Sequence, residues 1–152
     1  MTTPIYQLRP SVETDYDAIA EVWHGSASLP DVGPPVMPTL NELRERVDLA
    51  FAAGWEVTLA ARERDVIGFV AIKPREAILD QLFVRPGYLG CGIGQALLGH
   101  AMAKMPEGFT LFTASRNTRA RAFYEKAGLI FLRDAPHPRT GHPVTYYGWT
   151  GR

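Results

Sequence analysis

Residues 84–98 decide the interpretation of this chain, and they read Val-Arg-Pro-Gly-Tyr-Leu-Gly-Cys-Gly-Ile-Gly-Gln-Ala-Leu-Leu. The order is an apolar strand end, a glycine-rich turn and the start of an amphipathic helix. Gly90, Gly92 and Gly94 lack a Cβ, so the turn can adopt positive φ and bring main-chain N–H groups close to a ligand. The first N–H groups of the helix lack partners within it and lie at the positive end of its dipole. The stretch therefore predicts an anion site suited to phosphate or pyrophosphate.

Two common phosphate-binding motifs do not fit this turn. A P-loop ends in Gly-Lys-Ser/Thr, whereas Gly94 is followed by Gln95 and Ala96, which offer neither a lysine nor a hydroxyl for magnesium. In the dinucleotide fingerprint G-x-G-x-x-G, counted from Gly90, the third glycine falls on Gln95. A nucleoside triphosphatase and a Rossmann-type dinucleotide site are therefore both disfavoured.

The turn resembles the acetyl-coenzyme A loop of the GNAT superfamily of N-acetyltransferases, written Gln/Arg-x-x-Gly-x-Gly/Ala after a strand ending in Val-x-Pro. Gly92 and Gly94 match the two small positions, and Val84 and Pro86 match the strand exit. Leu89 stands where Gln or Arg is usual. In the family that position contributes mainly its main-chain N–H, so the resemblance implies that pyrophosphate binding is kept with one polar side chain fewer.

A second match lies in residues 117–129, which read Asn-Thr-Arg-Ala-Arg-Ala-Phe-Tyr-Glu-Lys-Ala-Gly-Leu. This segment resembles the family's Asn-x-x-Ala-x-x-Phe-Tyr-x-x-x-Gly-Phe at each named position except the last, where Leu129 replaces an aromatic residue. Two motifs in the right order are more specific than one glycine loop. The resemblance covers nearly the whole chain, and small bacterial members of the superfamily share the Gly-Cys-Gly loop.

Residue patterning predicts the same architecture. Apolar residues recur at helical spacing in some segments and at every second position in others, and turn residues separate them. Capping signatures at Thr14 with Asp17 and at Thr39 with Glu42 open two helices. The order β-α-α-β-β-β-α-β-α-β-β is that of the GNAT fold, an α/β fold with a mixed, mostly antiparallel central sheet and helices on both faces. Predicted strands cover 5–9, 55–61, 66–72, 78–84, 109–114, 129–133 and 144–149, predicted helices begin near 14, 39, 93 and 118, and 25–38 is predicted to be a loop.

Composition agrees with one globular domain spanning 1–152. The chain has 46% hydrophobic and 21% charged residues, and 16 basic residues balance 16 acidic ones. A neutral chain offers no bulk field for nucleic acid or an anionic membrane, so neither partner is expected, and a homodimer stays open. No segment has the apolar length of a membrane helix, and the single cysteine cannot form an internal disulfide. We expect a cytoplasmic protein.

The resemblance assigns the binding of acetyl-coenzyme A, the expected co-substrate. It implies that main-chain groups of the glycine loop bind the pyrophosphate, that main-chain groups of the preceding strand pair with the pantetheine arm, and that an asparagine amide binds the same arm. Tyr124 would lie close to the thioester. The residues assigned are Leu89, Gly90, Cys91, Gly92, Ile93, Gly94 and Gln95 for the pyrophosphate, and Leu82, Phe83, Val84 and Asn117 for the arm.

Tyr124 and Asp80 are the candidate catalytic residues. By the resemblance, Tyr124 is the general acid for the departing thiolate, although its helical spacing with Ala120, Phe123 and Ala127 also fits an aromatic core stripe. Asp80 interrupts an apolar strand, so its carboxylate is a candidate general base for the substrate ammonium. The alternatives are that Asp80 hydrogen-bonds neighbouring main chain, and that the proton leaves through water.

Other chemistry is disfavoured. Cys91 has no histidine or lysine beside it in the sequence, so acetyl transfer through this thiol is not expected. The four histidines lack metal-ligand spacing, so no metal is expected. The predicted function is N-acetylation of a small-molecule or peptide amine by direct attack in a ternary complex. The alternatives are a non-catalytic acyl-coenzyme A sensor and a toxin-like enzyme acting on aminoacyl-tRNA, which would need a basic face.

Overall fold

A single mixed sheet organises the chain in the computed structural model, which describes residues 6–151. Within that range the sheet has seven strands in the order β1-β2-β3-β4-β5-β7-β6. The strands are β1 (Gln7–Pro10), β2 (Glu56–Arg62), β3 (Asp65–Lys73), β4 (Ile78–Val84), β5 (Phe109–Ala114), β6 (Ile130–Pro136) and β7 (Pro143–Trp149), and the α-helices are α1 (Tyr16–Ala27), α2 (Leu40–Ala52), α3 (Ile93–Lys104) and α4 (Thr118–Lys126).

The predicted fold class is confirmed. Among the described strands, β4 and β5 form the one parallel pair, and every other neighbouring pair is antiparallel. The element order matches the predicted order β-α-α-β-β-β-α-β-α-β-β. The patterns of period two and of period 3.6 were therefore sufficient to place the elements along the chain.

Alternation along β3 explains why both faces of the sheet carry helices. Phe69 and Ala71 point into a core shared with α1 and α2, whereas Val70 and Ile72 point into a second core shared with α3 and α4. Because successive strand residues face opposite sides, an uninterrupted apolar strand indicates a sheet covered on both faces. The sequence of β3 is of this kind.

The N-terminal helix differs from the prediction. The capping signature at Thr14 and Asp17 is wrong: the Asp15 carboxylate accepts the Val12 N–H at 2.8 Å and pairs with Arg9 at 2.8 Å, and a short 3-10 turn precedes α1. Two donors converge on Asp15, which lies one residue beyond the predicted cap. The predicted start of the first strand at Ile5 lies outside the described residues.

The loop predicted for 25–38 begins later than expected, because α1 continues to Ala27. Ser26 is buried and its Oγ donates to the Val84 carbonyl oxygen at 3.1 Å, which fixes the last turn of α1 against β4. By contrast, the capping box of Thr39 and Glu42 is confirmed at the start of α2.

Candidate active site

The parallel strands β4 and β5 separate almost at once, and the site lies where they part. They are paired only at Ile78 and Thr110. The other side of β4 pairs with β3. Just beyond the end of β4, the Arg85 N–H donates to the carbonyl oxygen of Ile67 in β3 at 2.8 Å. Main-chain groups of successive strand residues point to opposite sides. The main-chain N–H and C=O groups of Val84 and Leu82 therefore face the open edge of β4, where β5 has moved away. The main-chain groups of Phe83 face β3.

Two cavities meet at this opening. One, of about 800 Å³, extends to the turn after β4, and we call it the glycine-loop cavity because Gly90, Gly92 and Gly94 line it. The other, of about 790 Å³, lies towards α2 and is called the tryptophan cavity after Trp23 and Trp55. Both are lined by Val32, Leu82, Phe83, Asn117, Ala120 and Tyr124.

The turn after β4 has the geometry of an anion site. Gly92 is the N-cap of α3 in the left-handed region, with φ of 82°, which a residue with a Cβ rarely adopts. Ala96 donates its N–H to the Gly92 carbonyl oxygen, so the N–H groups of Ile93, Gly94 and Gln95 form the unpaired first turn. All three residues line the glycine-loop cavity.

Gly94 lies beside α4. A Cβ built at this position would lie 3.4 Å from Cζ of Phe123, so α4 packs closely against the start of α3. The two motifs recognised in the sequence therefore lie side by side, with Gly94 of the first next to the aromatic ring of Phe123 in the second.

Two loop residues are placed less favourably for ligand contact. The Leu89 N–H donates to the Pro86 carbonyl oxygen at a long 3.3 Å, so it is already engaged in the turn. Cys91 is half-buried, packs against the core beside α3 and is not among the residues that line either cavity. The Cys91 thiol therefore has no direct path to the opening.

Asn117 combines a structural role with free donors. Its Oδ1 accepts the Ala120 N–H at 3.1 Å and so caps α4. The bond uses the carbonyl of the side-chain amide, which leaves the two NH₂ donors for a ligand. Asn117 lines both cavities and is therefore well placed to bind a ligand there.

Tyr124 lies where the cavities join. It is 7% exposed and packs against Phe123 and Tyr147, with ring centroids 5.3 and 6.3 Å away, so it belongs to the core as well. Among residues 6–151 the Tyr124 hydroxyl has no hydrogen-bond partner, whereas the Tyr147 hydroxyl accepts from Arg121 and donates to Glu125. Burial raises the pKa of this phenol above its ordinary value of 10, so it keeps its proton at neutral pH.

Asp80 lines the tryptophan cavity and is absent from the wall of the glycine-loop cavity. Its Oδ2 accepts the Trp55 indole N–H at 2.7 Å. The partner is a side chain from the segment before β2, not the neighbouring main chain that the alternative interpretation invoked. The bond fixes the orientation of a half-buried carboxylate beside the opening.

Sequence reasoning missed the basic residues of the tryptophan cavity. Arg46 of α2, Lys73 at the end of β3 and Arg139 of the turn between β6 and β7 all line it. Burial and, next, the charge of Arg139 lower the pKa of Arg46. These residues are 27 or more positions apart in the chain, and no local motif connects them.

The turn that carries Arg139 is held by a histidine. His137 Nδ1 accepts the N–H groups of Arg139 and Thr140 at 3.0 and 3.2 Å. Burial, then the charges of His142, Arg139 and Arg46, lower the pKa of His137. The ring is therefore neutral at pH 7, with its proton on Nε2.

The remaining candidates for special chemistry are structural. His100 Nε2 lies 2.9 Å from Thr58 Oγ1, and burial lowers its pKa. Among residues 6–151 no group of three or more His, Cys, Asp or Glu side chains is arranged to hold a metal ion. Over the same range, no helix has the length and apolarity needed to cross a membrane.

Comparison with known families agrees with both motifs. The model of the acetyltransferase (GNAT) family matches residues 23–129, which include β4, the glycine loop and α4. The peptidyl-lysine N-acetyltransferase YjaB of Escherichia coli K12 is 37% identical over 71 residues. That match covers 46% of this chain and 46% of YjaB, so the aligned region is about half the length of the curated relative.

Solved structures of similar fold extend over the whole chain. The solution structure of apo YjaB from Escherichia coli has a TM-score of 0.75 at 23% identity, covering 97% of this chain and 99% of that one. A phosphinothricin acetyltransferase from Sinorhizobium meliloti, solved in complex with acetyl-coenzyme A, has a TM-score of 0.75 at 17% identity, covering 99% and 89%. At these identities the likeness is one of fold.

Proposed function

We propose that this chain, which belongs to the acetyltransferase (GNAT) family, transfers the acetyl group of acetyl-coenzyme A to a primary amine by direct attack in a ternary complex. The observation that carries the proposal is the meeting of two cavities at Tyr124. A direct transfer requires both substrates to be bound together, with their reacting atoms at one place. Two cavities that share Tyr124 in their walls satisfy that requirement.

The glycine-loop cavity fits acetyl-coenzyme A. The free N–H groups of Ile93, Gly94 and Gln95 would bind the pyrophosphate, assisted by the dipole of α3. The arm would pair with the open edge of β4, at the Leu82 main chain and the Val84 N–H, because Ser26 already occupies the Val84 carbonyl. The Asn117 amide would donate to the same arm. The main chain of Phe83 faces β3, so its contribution would come from its side chain on the cavity wall.

Tyr124 and Asp80 have separate roles in the proposed chemistry. When bound, the thioester supplies an acyl group that is already activated. Tyr124, protonated because its pKa is raised, would hydrogen-bond to the departing sulfur and donate its proton as negative charge develops there. Asp80, on the side of the second cavity, would take the proton of the attacking amine.

The acceptor is proposed at the level of a primary amine. YjaB is named for a peptidyl-lysine acceptor, and a lysine side chain is one such amine. The loop 28–39, the β6–β7 turn and α2 enclose the tryptophan cavity, and they determine which amines enter.

A screen of amines and lysine-containing peptides tests the proposal by measuring free thiol released from acetyl-coenzyme A. We expect amine-dependent thiol release and a stoichiometric N-acetyl product. Tight binding of acetyl-coenzyme A with no release for any amine would contradict the enzymatic function and favour the sensor alternative.

A further inference from the structure

The tryptophan cavity has an excess of positive charge that the proposed transfer does not use. Arg46, Lys73 and Arg139 line it, whereas Asp80 is its one carboxylate among residues 6–151. The proposed transfer gives a role to the Asp80 carboxylate, but it gives none to the three cations. Their presence requires a separate explanation.

Arg46 and Arg139 line the same cavity, and Glu42 on α2 offsets only part of the positive charge at Arg46. In the described part of the chain, neither guanidinium belongs to an ion pair. The nearest candidate, Glu42, lies one turn before Arg46 and accepts the Thr39 N–H at 3.1 Å in the capping box. Arginine does not deprotonate at ordinary pH, so the repulsion that Glu42 leaves uncompensated is relieved by solvent or by a bound anion.

The main chain of Arg139 is held within the turn, and its side chain is exposed. His137 accepts two N–H groups of the turn, and its ring stacks on His142 with centroids 5.0 Å apart. The ring of His137 also meets the edge of Phe112 on β5 at 5.3 Å. The turn is therefore attached to the sheet, and it holds the main chain of Arg139 at the wall of the tryptophan cavity.

We propose that Arg46 and Arg139 form an oxyanion subsite for the acceptor, which is a small primary amine that also carries a carboxylate or phosphonate group. The inference rests on the proposed function, which places the amine between Asp80 and Tyr124. Guanidinium groups bind planar and tetrahedral oxyanions through paired N–H donors, and Lys73 adds charge to the same wall. An acceptor with an amine at one end and an oxyanion at the other would bind Asp80 with its amine and the two arginines with its oxyanion.

Matched acceptors test this subsite. We would compare 4-aminobutanoate, 3-aminopropylphosphonate and the neutral 4-aminobutanol, together with a lysine peptide blocked at both termini. We expect kcat/KM for one or both charged amines to exceed that for 4-aminobutanol by about 10-fold or more, since charge-assisted hydrogen bonds have this magnitude. The two charged arms distinguish a carboxylate from a phosphonate. Equal kcat/KM for all the small amines, or preference for the blocked peptide, would overturn the proposal.

Single substitutions test whether the preference for charged amines depends on the two arginines. Arg46→Gln and Arg139→Gln should each raise KM for the preferred charged amine by about 10-fold to 100-fold, with kcat nearly constant and 4-aminobutanol unaffected. Arg64→Gln, in the hairpin between β2 and β3 and outside both cavities, is the matched control. If both variants behave like Arg64→Gln, the subsite is wrong.

Calorimetric titration of the charged amines into the coenzyme A complex separates this inference from the proposed function. Arginine-dependent binding without thiol release would contradict the transfer but support the subsite. Thiol release with no arginine dependence would support the transfer and refute the subsite. Absence of both binding and release would overturn the subsite as well.

Discussion

The two cavities that meet at Tyr124 are built in different ways. The glycine-loop cavity combines the end of β4, the turn and the first turn of α3, which offer main-chain N–H groups, with residues from the loop after α1 and from α4. The tryptophan cavity is formed by side chains from α1, α2, β4, β5 and the β6–β7 turn. A site made of main chain tolerates changes of side chain, whereas a site made of distant side chains changes with each of its elements. The contrast indicates a common co-substrate and a specific acceptor.

The strongest test of the meeting point is Tyr124→Phe. The change keeps the ring that packs on Phe123 and Tyr147 and removes the hydroxyl. We expect kcat to fall by about 10-fold to 1000-fold, with the Kd of acetyl-coenzyme A nearly constant. Unchanged kcat where chemistry limits turnover would assign Tyr124 to the core alone.

Because the pKa of Tyr124 is raised, the wild-type enzyme should keep its acid at alkaline pH. The protonated form is the one the folded protein favours, and ionisation begins only above the ordinary value of 10. We therefore expect no loss of kcat attributable to Tyr124 up to about pH 10. A decline near pH 8 that disappears in Tyr124→Phe would contradict the burial argument.

Asp80→Asn tests the chemistry on the side of the tryptophan cavity. We expect kcat at pH 7 to fall by about 10-fold to 100-fold, and the loss to shrink at higher pH as more of the amine is already neutral. Trp55→Phe is the control, because it removes the indole donor and keeps the carboxylate. If Asp80→Asn has the same pH profile as wild type, the proton leaves through water.

Gly92→Val tests the main-chain cavity. A β-branched residue does not adopt a φ of 82° without strain, so the N-terminus of α3 should shift. We expect the Kd of acetyl-coenzyme A to rise by about 10-fold, measured by calorimetry. Gly87→Ala, in the same turn with open space around its Cβ and without a positive φ, is the control. Equal affinity for Gly92→Val would remove the loop from the site.

The pH dependence of the tryptophan cavity should depend on His137. Its pKa is lowered from the ordinary 6.5 by burial and by His142, Arg139 and Arg46. Stabilisation of the turn by neutral His137 is thus complete above about pH 6.5 and is lost as pH falls through the lowered pKa. We expect KM for 4-aminobutanoate, relative to 4-aminobutanol, to rise a few-fold on acidification, and His137→Phe to abolish that change. If His137→Phe has the same pH profile as wild type, the ionisation of His137 does not control the turn.

The smallest expected effect is that of Cys91→Ala. The thiol packs against the core and lines neither cavity. We expect most activity to be retained. Intact mass spectrometry after mixing with acetyl-coenzyme A alone should show no acetyl adduct. A stoichiometric adduct that an amine discharges would replace direct transfer by a two-step route through Cys91.

The sequence predicted features that depend on neighbours in the chain, and it failed for features that depend on contacts between distant residues. Residues 78–84 and 109–114 were predicted as strands with the exact bounds of β4 and β5, because each is a short apolar run bounded by turns. The sequence also indicated the N-terminal anion site of α3 and the cap of α4, since both depend on neighbours in the chain. The ends of α1 were wrong, because Arg9, Asp15 and Val84 determine them through contacts beyond one turn.

The acceptor side could not be predicted from local pattern. The hydrogen bond of Asp80 with Trp55 and the cavity shared by Arg46 and Arg139 join residues from different elements. Their sequence spacing carries no information until the sheet order is known. The sequence identified Asp80 as a candidate general base because it interrupts an apolar strand, but it did not reveal Trp55 as its hydrogen-bond partner.

Initial rates with both substrates varied test the central claim most directly. Acetyl-coenzyme A would be titrated against the best amine of the screen while thiol release is followed. We expect reciprocal plots that intersect, because both cavities must be filled before transfer. Parallel lines, which indicate an acetylated enzyme released from coenzyme A before the amine binds, would contradict it.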